Sequence, residues 1–158
     1  MEYIIRPLFP SEYNLLEDFL YEAIFQPDEH HLASRDIIQK PELQIYIHDF
    51  GTKPNDYCFC AEVSEKVVGA VWVRTISGYG NIDSVTPEFA ISLYKAYRGY
   101  GIGTALMKKM LTHLKEKGYK RTSLAVQKAN YALNMYLKLG FVIVDESEEE
   151  YILIHHLH

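Results

Sequence analysis

The sequence has little cysteine, and this scarcity excludes a protein held together by disulfides. Its 158 residues include 2 cysteines, Cys58 and Cys60. They lie two apart in a β-rich run, so both would point to one face of a strand and could not easily bridge each other. We therefore expect two reduced thiols in the core of the protein.

Metal ligands in recognisable spacing are also lacking. Besides the two cysteines, the only candidates are His30, His31 and the terminal histidines His155, His156 and His158. No combination of these residues matches the ligand spacing of a structural or catalytic metal site. The sequence predicts no metal.

Long apolar runs and an excess of basic residues are absent as well. No stretch reaches the roughly eighteen apolar residues that a membrane-spanning helix needs, and Glu2 stands where a secretory signal would carry basic residues. We expect a cytoplasmic protein with no membrane partner. A net charge of −5 counts against a nucleic-acid partner, and the same acidic balance suits a cationic amine substrate.

What the sequence does contain is ample material for one core. Hydrophobic residues make up 48% of the chain, with 13 tyrosines and 7 phenylalanines, so residues 1–158 are predicted to form a single domain. Apolar patterns with a period of two or 3.6 residues alternate along it. Strands are predicted at 3–6, 57–63, 67–74, 89–94, 121–126, 141–145 and 151–155, and helices at 11–20, 42–50, 102–117 and 131–139.

The order of these elements predicts an α/β fold with a mixed, twisted sheet. The runs at 57–63 and 67–74 are joined by a short polar turn, which indicates an antiparallel hairpin. The runs at 89–94 and 121–126 are separated by a helix, which predicts that these two strands are parallel. The glycine-containing segment 75–84 is predicted to be a loop over the substrate, with Tyr79 and Asp83 as polar candidates to contact it.

The most informative stretch is 97–104, where a predicted strand passes through a glycine-dense turn into a helix. Gly99, Gly101 and Gly103 let the backbone turn tightly and approach a ligand closely. The first N–H groups of the helix have no intrahelical acceptor, so this turn could bind an anion such as a phosphate. We call residues 98–104 the cradle. Its candidate ligand-binding residues are Arg98, Gly99, Tyr100, Gly101, Ile102, Gly103 and Thr104.

Two common phosphate-binding motifs do not fit the cradle. No Gly-Lys-Ser/Thr follows, so it is not a P-loop, and its glycines read G-x-G-x-G instead of the G-x-G-x-x-G of dinucleotide-binding folds. Instead, Arg98-x-x-Gly101-x-Gly103 resembles the R/Q-x-x-G-x-G/A signature of the GNAT family of N-acetyltransferases. Residues 130–141, which begin at Asn130, are similar to that family's N-x-A-x-x-L-Y-x-K-L-G-F helix.

This resemblance implies a GNAT-like sheet of about six to seven strands flanked by about four helices, and acetyl-CoA as co-substrate. It places the pyrophosphate in the cradle and the pantetheine arm along the strand at 89–94, with a backbone N–H near Ser92 or Leu93 polarising the thioester carbonyl. Asn130 is a further candidate cofactor-binding residue. In the family, the segment that includes the predicted helix at 42–50 forms one wall of the acceptor site.

The resemblance also implies two catalytic residues. Glu88, where the central strand begins, is the candidate general base for the amine, and Tyr136 is the candidate general acid for the departing thiolate. The implied activity is acetyl transfer to a primary amine of a small molecule or peptide. The alternative is a non-catalytic module that binds acyl-CoA with the same fold. A homodimer is left open.

Overall fold

The protein is built around one mixed β-sheet. The computed structural model describes residues 1–28 and 30–158, and these form one sheet of seven strands. The strands are β1 (Ile4–Pro7), β2 (Tyr57–Val63), β3 (Lys66–Arg74), β4 (Glu88–Leu93), β5 (Arg121–Gln127), β6 (Val142–Glu146) and β7 (Glu150–His156). Their spatial order is β1-β2-β3-β4-β5-β7-β6.

Antiparallel pairing holds between all neighbouring strands of this sheet except β4 and β5, which are parallel. Both predictions about strand direction are therefore confirmed. The parallel pair arises because β4 and β5 are joined through a long helix, which returns the chain to the starting end of the sheet.

Four α-helices flank the sheet in the described residues, as predicted. They are α1 (Leu16–Ala23), α2 (Pro41–Gln44), α3 (Ile102–Glu116) and α4 (Ala132–Lys138). The first predicted helix begins instead as a 3₁₀ turn, Pro10–Leu15, and becomes α-helical at Leu16. At its C-terminal end α3 is followed by Gly118 with a φ of +90°, the left-handed conformation in which glycine commonly ends a helix.

The helix predicted at 42–50 is wrong, because α2 ends at Gln44 and turns follow it. A buried arginine on β3 explains the difference. Arg74 donates from Nη1 to the carbonyl oxygens of Ile45 (3.1 Å) and His48 (2.7 Å). In a helix continuing to residue 50, the Ile45 carbonyl would instead accept from the N–H of Asp49. Asp49 then adopts a φ of +51°, outside the helical region.

Each face of the sheet has its own apolar core. On the α3 face, α3 and α4 cover Val71 and Phe89. On the α1 face, α1 and residues 45–50 cover Trp72 and Cys60. Successive strand residues alternate between the two faces, so Glu88, the neighbour of Phe89, belongs to the α1 face. In the described residues no helix is both long and apolar enough to cross a bilayer.

A buried ion pair fixes the segment at 45–56 against the sheet. The guanidinium of Arg74 donates two hydrogen bonds to the carboxylate of Asp56, at 2.9 and 3.1 Å. Only 2% of the Arg74 side chain and 0% of the Asp56 side chain are exposed. A charge buried this deeply is tolerated because its partner and the carbonyl oxygens satisfy it.

We predict that Asp56→Asn lowers the free energy of unfolding by about 3–5 kcal/mol, because it leaves the Arg74 charge buried without its counterion. Urea denaturation measures this change. The matched control is Asp18→Asn, which breaks the exposed pair between Asp18 and Arg35 and should cost no more than about 1 kcal/mol. Equal losses in the two variants would contradict the structural role given to the buried pair.

Candidate active site

Strands β4 and β5 separate almost as soon as they meet. They share one register pair, Glu88 with Ser123, and the N–H of Ser123 donates to the carbonyl of Pro87 at 3.1 Å. By contrast, all six residues of β4 pair with β3, and all seven residues of β5 pair with β7. The sheet therefore opens into a gap beyond Glu88, and we call this point the vertex.

The alternation of backbone groups along β4 decides which of them face the gap. The N–H of Tyr94 donates to Val68 of β3 at 2.9 Å, so alternate residues, including Ser92, also bond to β3. The N–H and C=O groups of Ile91 and Leu93 consequently point toward the gap. Of the two candidates named from the sequence, Leu93 is the one whose N–H points toward the gap. The hydroxyl of Ser92 donates to the carbonyl of Phe19 at 2.7 Å.

The cradle follows β4 after a 3₁₀ turn, Lys95–Tyr97, and presents N–H groups that have no acceptor within the helix. Gly101 is the N-cap residue of α3, with a φ of +84° and no side-chain cap. The first backbone bond of the helix runs from Ala105 to Gly101, so the N–H groups of residues 102–104 have no acceptor within the helix. A Cβ added to Gly99 or Gly101 would meet nothing within 4 Å. The N-terminus of α3 is thus uncapped and open, as an anion site requires.

Three other predicted cofactor residues have different surroundings. Arg98 donates from Nε to the carbonyl of Leu93 and from Nη2 to Glu22, both at 3.0 Å. These bonds use two of the five N–H donors of the guanidinium, so Arg98 could contact an anion only through its remaining N–H groups. Tyr100 is 56% exposed. Asn130 accepts a hydrogen bond from the N–H of Ala132 at 2.9 Å, which fixes it at the start of α4.

Gly103 lies where the cradle packs against α4. A Cβ added at Gly103 would lie 3.7 Å from both Leu93 Cδ1 and Met135 Sδ. The first turn of α3 therefore packs close to the gap-facing end of β4 and to the helix that carries Tyr136, the residue after Met135. The sequence-predicted anion site, the open strand edge and the candidate acid are neighbours in the fold.

Glu88 lies at the vertex and is only 2% exposed. Its carboxylate accepts hydrogen bonds from the hydroxyl of Tyr46 (2.9 Å) and from the N–H groups of Gly78 (2.9 Å) and Gly80 (3.2 Å). The Tyr46 hydroxyl in turn accepts from the N–H of Tyr79 at 2.8 Å. Oε1 of Glu88 accepts only the bond from Gly78, whereas Oε2 accepts the other two.

Burial and hydrogen bonding act on the pKa of Glu88 in opposite directions. Burial raises it above the ordinary value of 4.5, and the bonds from Tyr46, Gly78 and Gly80 lower it, with burial the stronger effect. Burial, followed by the charge of Glu88, raises the pKa of Tyr46 far above its usual range. The proton between these two residues therefore remains on Tyr46.

Tyr136 lies on the opposite side of the sheet. Its side chain belongs to the α3-face core and is 8% exposed. The ring contacts Phe141 edge to face, and Phe141 contacts Phe89 in the same way. In the described part of the chain the Tyr136 hydroxyl has no hydrogen-bond partner, and burial raises its pKa to about 12. The candidate base and candidate acid therefore lie on opposite faces beside the gap.

The loop before β4 closes the vertex on the α1 face. Asp83 accepts hydrogen bonds from Arg121 (2.6 Å) and from the hydroxyl of Thr86 (2.9 Å), so its carboxylate braces the loop and is not free for a substrate. Tyr79 is 48% exposed, and its ring stacks on that of Tyr46 with the ring centroids 6.4 Å apart. Of the two loop residues named from the sequence, Tyr79 is the one that an acceptor could meet.

Sequence reasoning missed Tyr46, Gly78 and Gly80. Tyr46 is one of 13 tyrosines and lies in the segment predicted to be helical, and nothing in its local pattern indicates a partner 42 residues away. The two loop glycines carried a usable signal. A Cβ at Gly78 would lie 2.7 Å from the Glu88 carboxylate, so these glycines are needed for close approach and not only for the turn.

Comparison with known proteins gives one family. The acetyltransferase (GNAT) family matches residues 12–141. A ribosomal protein bS18-alanine N-acetyltransferase of Haemophilus influenzae is 35% identical over 79 residues, which are 48% of this chain and 54% of that protein. An N-alpha-acetyltransferase of Sulfurisphaera tokodaii is 34% identical over 91 residues, 52% of this chain and 54% of that protein. The matches thus span about half the length of these relatives.

The fold has close counterparts among solved structures. The PaiA N-acetyltransferase of Thermoplasma acidophilum, solved in complex with coenzyme A, superposes with a TM-score of 0.73 at 20% identity and covers 99% of each chain. At this identity the likeness concerns the fold alone. It confirms the prediction of a GNAT-like sheet of about six to seven strands flanked by about four helices. Within the residues that the structure describes, no cluster of His, Cys, Asp or Glu could hold a metal ion.

We predict that Glu88 gives the free energy of unfolding a specific pH dependence. Because folding raises its pKa above the ordinary value of 4.5, its contribution is fully present below that value and is lost as the pH rises through the folded pKa. The stability of the wild type relative to Glu88→Gln should therefore fall with rising pH. Urea denaturation of both proteins between about pH 2.5 and pH 8, a range that extends below the ordinary carboxyl pKa, measures this difference.

The control for this titration has the opposite sign. Arg6 lowers the pKa of Glu12, so the stability of the wild type relative to Glu12→Gln should be lost as the pH falls through the folded pKa. The contradicting result has two parts. The free-energy difference between the wild type and Glu88→Gln would stay constant with pH, while the difference for Glu12→Gln would change as expected. That result would show that the pKa of Glu88 is not raised by folding.

Proposed function

The chain belongs to the acetyltransferase (GNAT) family, and we propose that it is an N-acetyltransferase that transfers the acetyl group of acetyl-CoA to a primary amine. The observation that carries this proposal is the opening of β4 and β5 after one register pair, directly beside the uncapped N-terminus of α3. Together these features provide an extended slot for a pantetheine arm and a site for its pyrophosphate.

The co-substrate would be held almost entirely by backbone groups. In this proposal the N–H groups of Ile102, Gly103 and Thr104 bind the pyrophosphate, aided by the positive end of the helix dipole. The gap-facing edge of β4 replaces its missing strand partner with the amide groups of the pantetheine arm. The N–H of Leu93 then polarises the thioester carbonyl, where negative charge develops during attack.

The positions of Glu88 and Tyr136 fit direct attack on the thioester. The amine nitrogen forms a bond to the carbonyl carbon and loses a proton, and the carbon–sulfur bond then breaks and the sulfur gains one. Glu88 would receive the first proton on the α1 face, and Tyr136 would supply the second on the α3 face. A base and an acid on opposite sides of the gap can serve the attacking and departing atoms separately.

Burial makes a direct contact between Glu88 and the amine unfavourable. With 2% of the residue exposed, we place a water molecule between the amine and the carboxylate. Burial also changes the energy of the second transfer. An ordinary phenol protonates a thiolate at a cost of about 2 kcal/mol, whereas a pKa of about 12 for Tyr136 raises this cost to about 5 kcal/mol if the thiol keeps its usual pKa. Burial of the sulfur would raise the pKa of the thiol and so reduce the difference between the two pKa values.

The acceptor is proposed to be a primary amine of a small molecule or of a peptide. The Haemophilus influenzae relative is named for an alanine of a ribosomal protein, which supports a peptide amine. Tyr79 and Tyr46 form an aromatic surface beside the vertex, where the alkyl part of either acceptor could pack. Turnover of acetyl-CoA with an alanine-initiated peptide, spermidine, an aminoglycoside and free amino acids tests the proposal.

One observation favours the alternative of a non-catalytic acyl-CoA-binding module. The Glu88 carboxylate already has three donors, as a purely structural carboxylate would. Binding of coenzyme A without acetyl transfer to any of the amines tested would support the module over the enzyme. Acetylation of one of them would support the enzyme.

We predict that Gly101→Glu abolishes binding of coenzyme A, because the new carboxylate would enter the cradle and repel the pyrophosphate. In the wild type, coenzyme A at a hundredfold excess over its Kd should add about 2.7 kcal/mol to the free energy of unfolding. Thermal unfolding with and without coenzyme A measures the effect.

Gly118→Glu is the matched control for the backbone. Gly118 has a φ of +90°, close to the +84° of Gly101, and a Cβ at either position would meet nothing within 4 Å. Both substitutions therefore carry a similar conformational cost, but Gly118 lies beyond the other end of α3. Loss of the coenzyme A effect in both variants, or in neither, would show that the cradle has been misplaced.

We predict that Tyr136→Phe lowers turnover by about 10² to 10⁴ and leaves the free energy of unfolding nearly unchanged, since the hydroxyl has no hydrogen-bond partner in the described residues. Steady-state kinetics and urea denaturation measure the two effects. The control is Tyr119→Phe, whose hydroxyl donates to Asn55; it should lose about 1 kcal/mol of stability and no activity. Wild-type turnover in Tyr136→Phe would assign the second proton to water.

A further inference from the structure

Ser123 is the partner of Glu88 at the vertex, and its hydroxyl is unsatisfied. The residue is 0% exposed, and its Oγ has no hydrogen-bond partner in the part of the chain that the structure describes. A buried hydroxyl without a partner costs about 1–3 kcal/mol. Such groups usually contact an ordered water or a ligand, so the position of this one matters.

The Ser123 side chain faces the same side of the sheet as Glu88. Its neighbour Leu124 belongs to the α3-face core, and side chains alternate along a strand, so Ser123 faces the α1 side. Glu88 does the same, because Phe89 belongs to the α3-face core. The two residues are paired in register. The hydroxyl and the carboxylate are therefore side by side on one surface of the opening sheet.

The same loop covers both groups. Gly78 and Gly80 donate their N–H groups to Glu88. A Cβ on Gly80 would lie only 2.9 Å from the backbone at Leu124 and Ala125, so the loop rests on β5 immediately beside Ser123. Oε1 of Glu88, which accepts one bond, still has room for a further donor. The vertex is thus a closed polar site in which two groups can each make a further hydrogen bond. These groups are the Ser123 hydroxyl on β5 and Oε1 of Glu88 on β4.

We propose that Ser123 is a positioning residue that, together with Glu88, holds the water through which the acceptor amine loses its proton. This inference rests on the proposed function. Before the attack, the water accepts a proton from the substrate ammonium and gives one of its own protons to Glu88, so that the carboxylate becomes neutral and the water is regenerated. The neutral amine then attacks the thioester, and the proton that its nitrogen still loses balances the proton that the departing sulfur gains. The Ser123 hydroxyl bonds to this water and fixes it between the amine and the carboxylate.

The first test separates this role from a structural one. Ser123→Ala removes a hydroxyl that has no hydrogen-bond partner among the described residues, so the free energy of unfolding should stay equal or rise. Turnover at neutral pH should fall by about tenfold or more. The loss should shrink in alkaline buffer, where the amine is already neutral. The assay uses whichever tested amine the wild type acetylates fastest. Unchanged turnover in Ser123→Ala would overturn the inference and leave the proposed function intact.

A double-mutant cycle with Glu88 supplies the second test. If Ser123 acts through the base, Ser123→Ala in a Glu88→Gln background should change turnover by less than about twofold, because residues that work as a unit are not additive. The control is Thr122→Val. Thr122 is also buried, and its hydroxyl donates to Pro87 at 2.7 Å; its loss should affect stability and show the same small rate change in both backgrounds.

A failure of the proposed function can be distinguished from a failure of the role proposed for Ser123. A wild type that acetylates no amine would contradict the proposed function and this inference with it. Additive rate losses for Ser123→Ala and Glu88→Gln would contradict only the inference. A high-resolution crystal structure should show a water within hydrogen-bond distance of Ser123 Oγ and Glu88 Oε1, and a dry vertex would overturn the proposal.

Discussion

The single register pair between Glu88 and Ser123 is the constraint on which the candidate site depends. Two parallel strands that part after one pair leave backbone donors and acceptors without partners, and a buried strand edge of this kind is unfavourable unless something else binds to it. The gap-facing N–H of Leu93 and the uncapped first turn of α3 are therefore open sites in the same neighbourhood. An extended ligand with amide groups and a terminal phosphate satisfies both.

The α1 face determines how the vertex is closed. Arg74 binds Asp56 and two carbonyl groups of the segment after α2, which ends that helix early and brings the Tyr46 hydroxyl to Glu88. The loop before β4 then lies over the carboxylate through Gly78 and Gly80. These contacts together keep the Glu88 carboxylate buried and hydrogen-bonded, and its burial raises its pKa. Such an environment suits a base that acts through water.

Sequence patterns predicted the elements of this site better than their contacts. The glycines at 101 and 118 mark both ends of α3 because each requires a positive φ, and local pattern is enough to place them. The choice between Ser92 and Leu93 depends on the register with β3, and the path of 45–50 depends on Arg74, which is distant in sequence. The unpartnered hydroxyl of Ser123 cannot be recognised before the packing around it is known.

The central claim is that the gap between β4 and β5 binds the acyl-CoA arm, and amide hydrogen exchange tests it residue by residue. Saturating coenzyme A should slow exchange at Leu93 and at residues 102–104, whose N–H groups have no hydrogen-bond partner among residues 1–28 and 30–158. It should leave Ser92 unchanged, because Ser92 pairs with Ala70 of β3. Tight binding of coenzyme A without any slowing at Leu93 would contradict the account and place the ligand elsewhere.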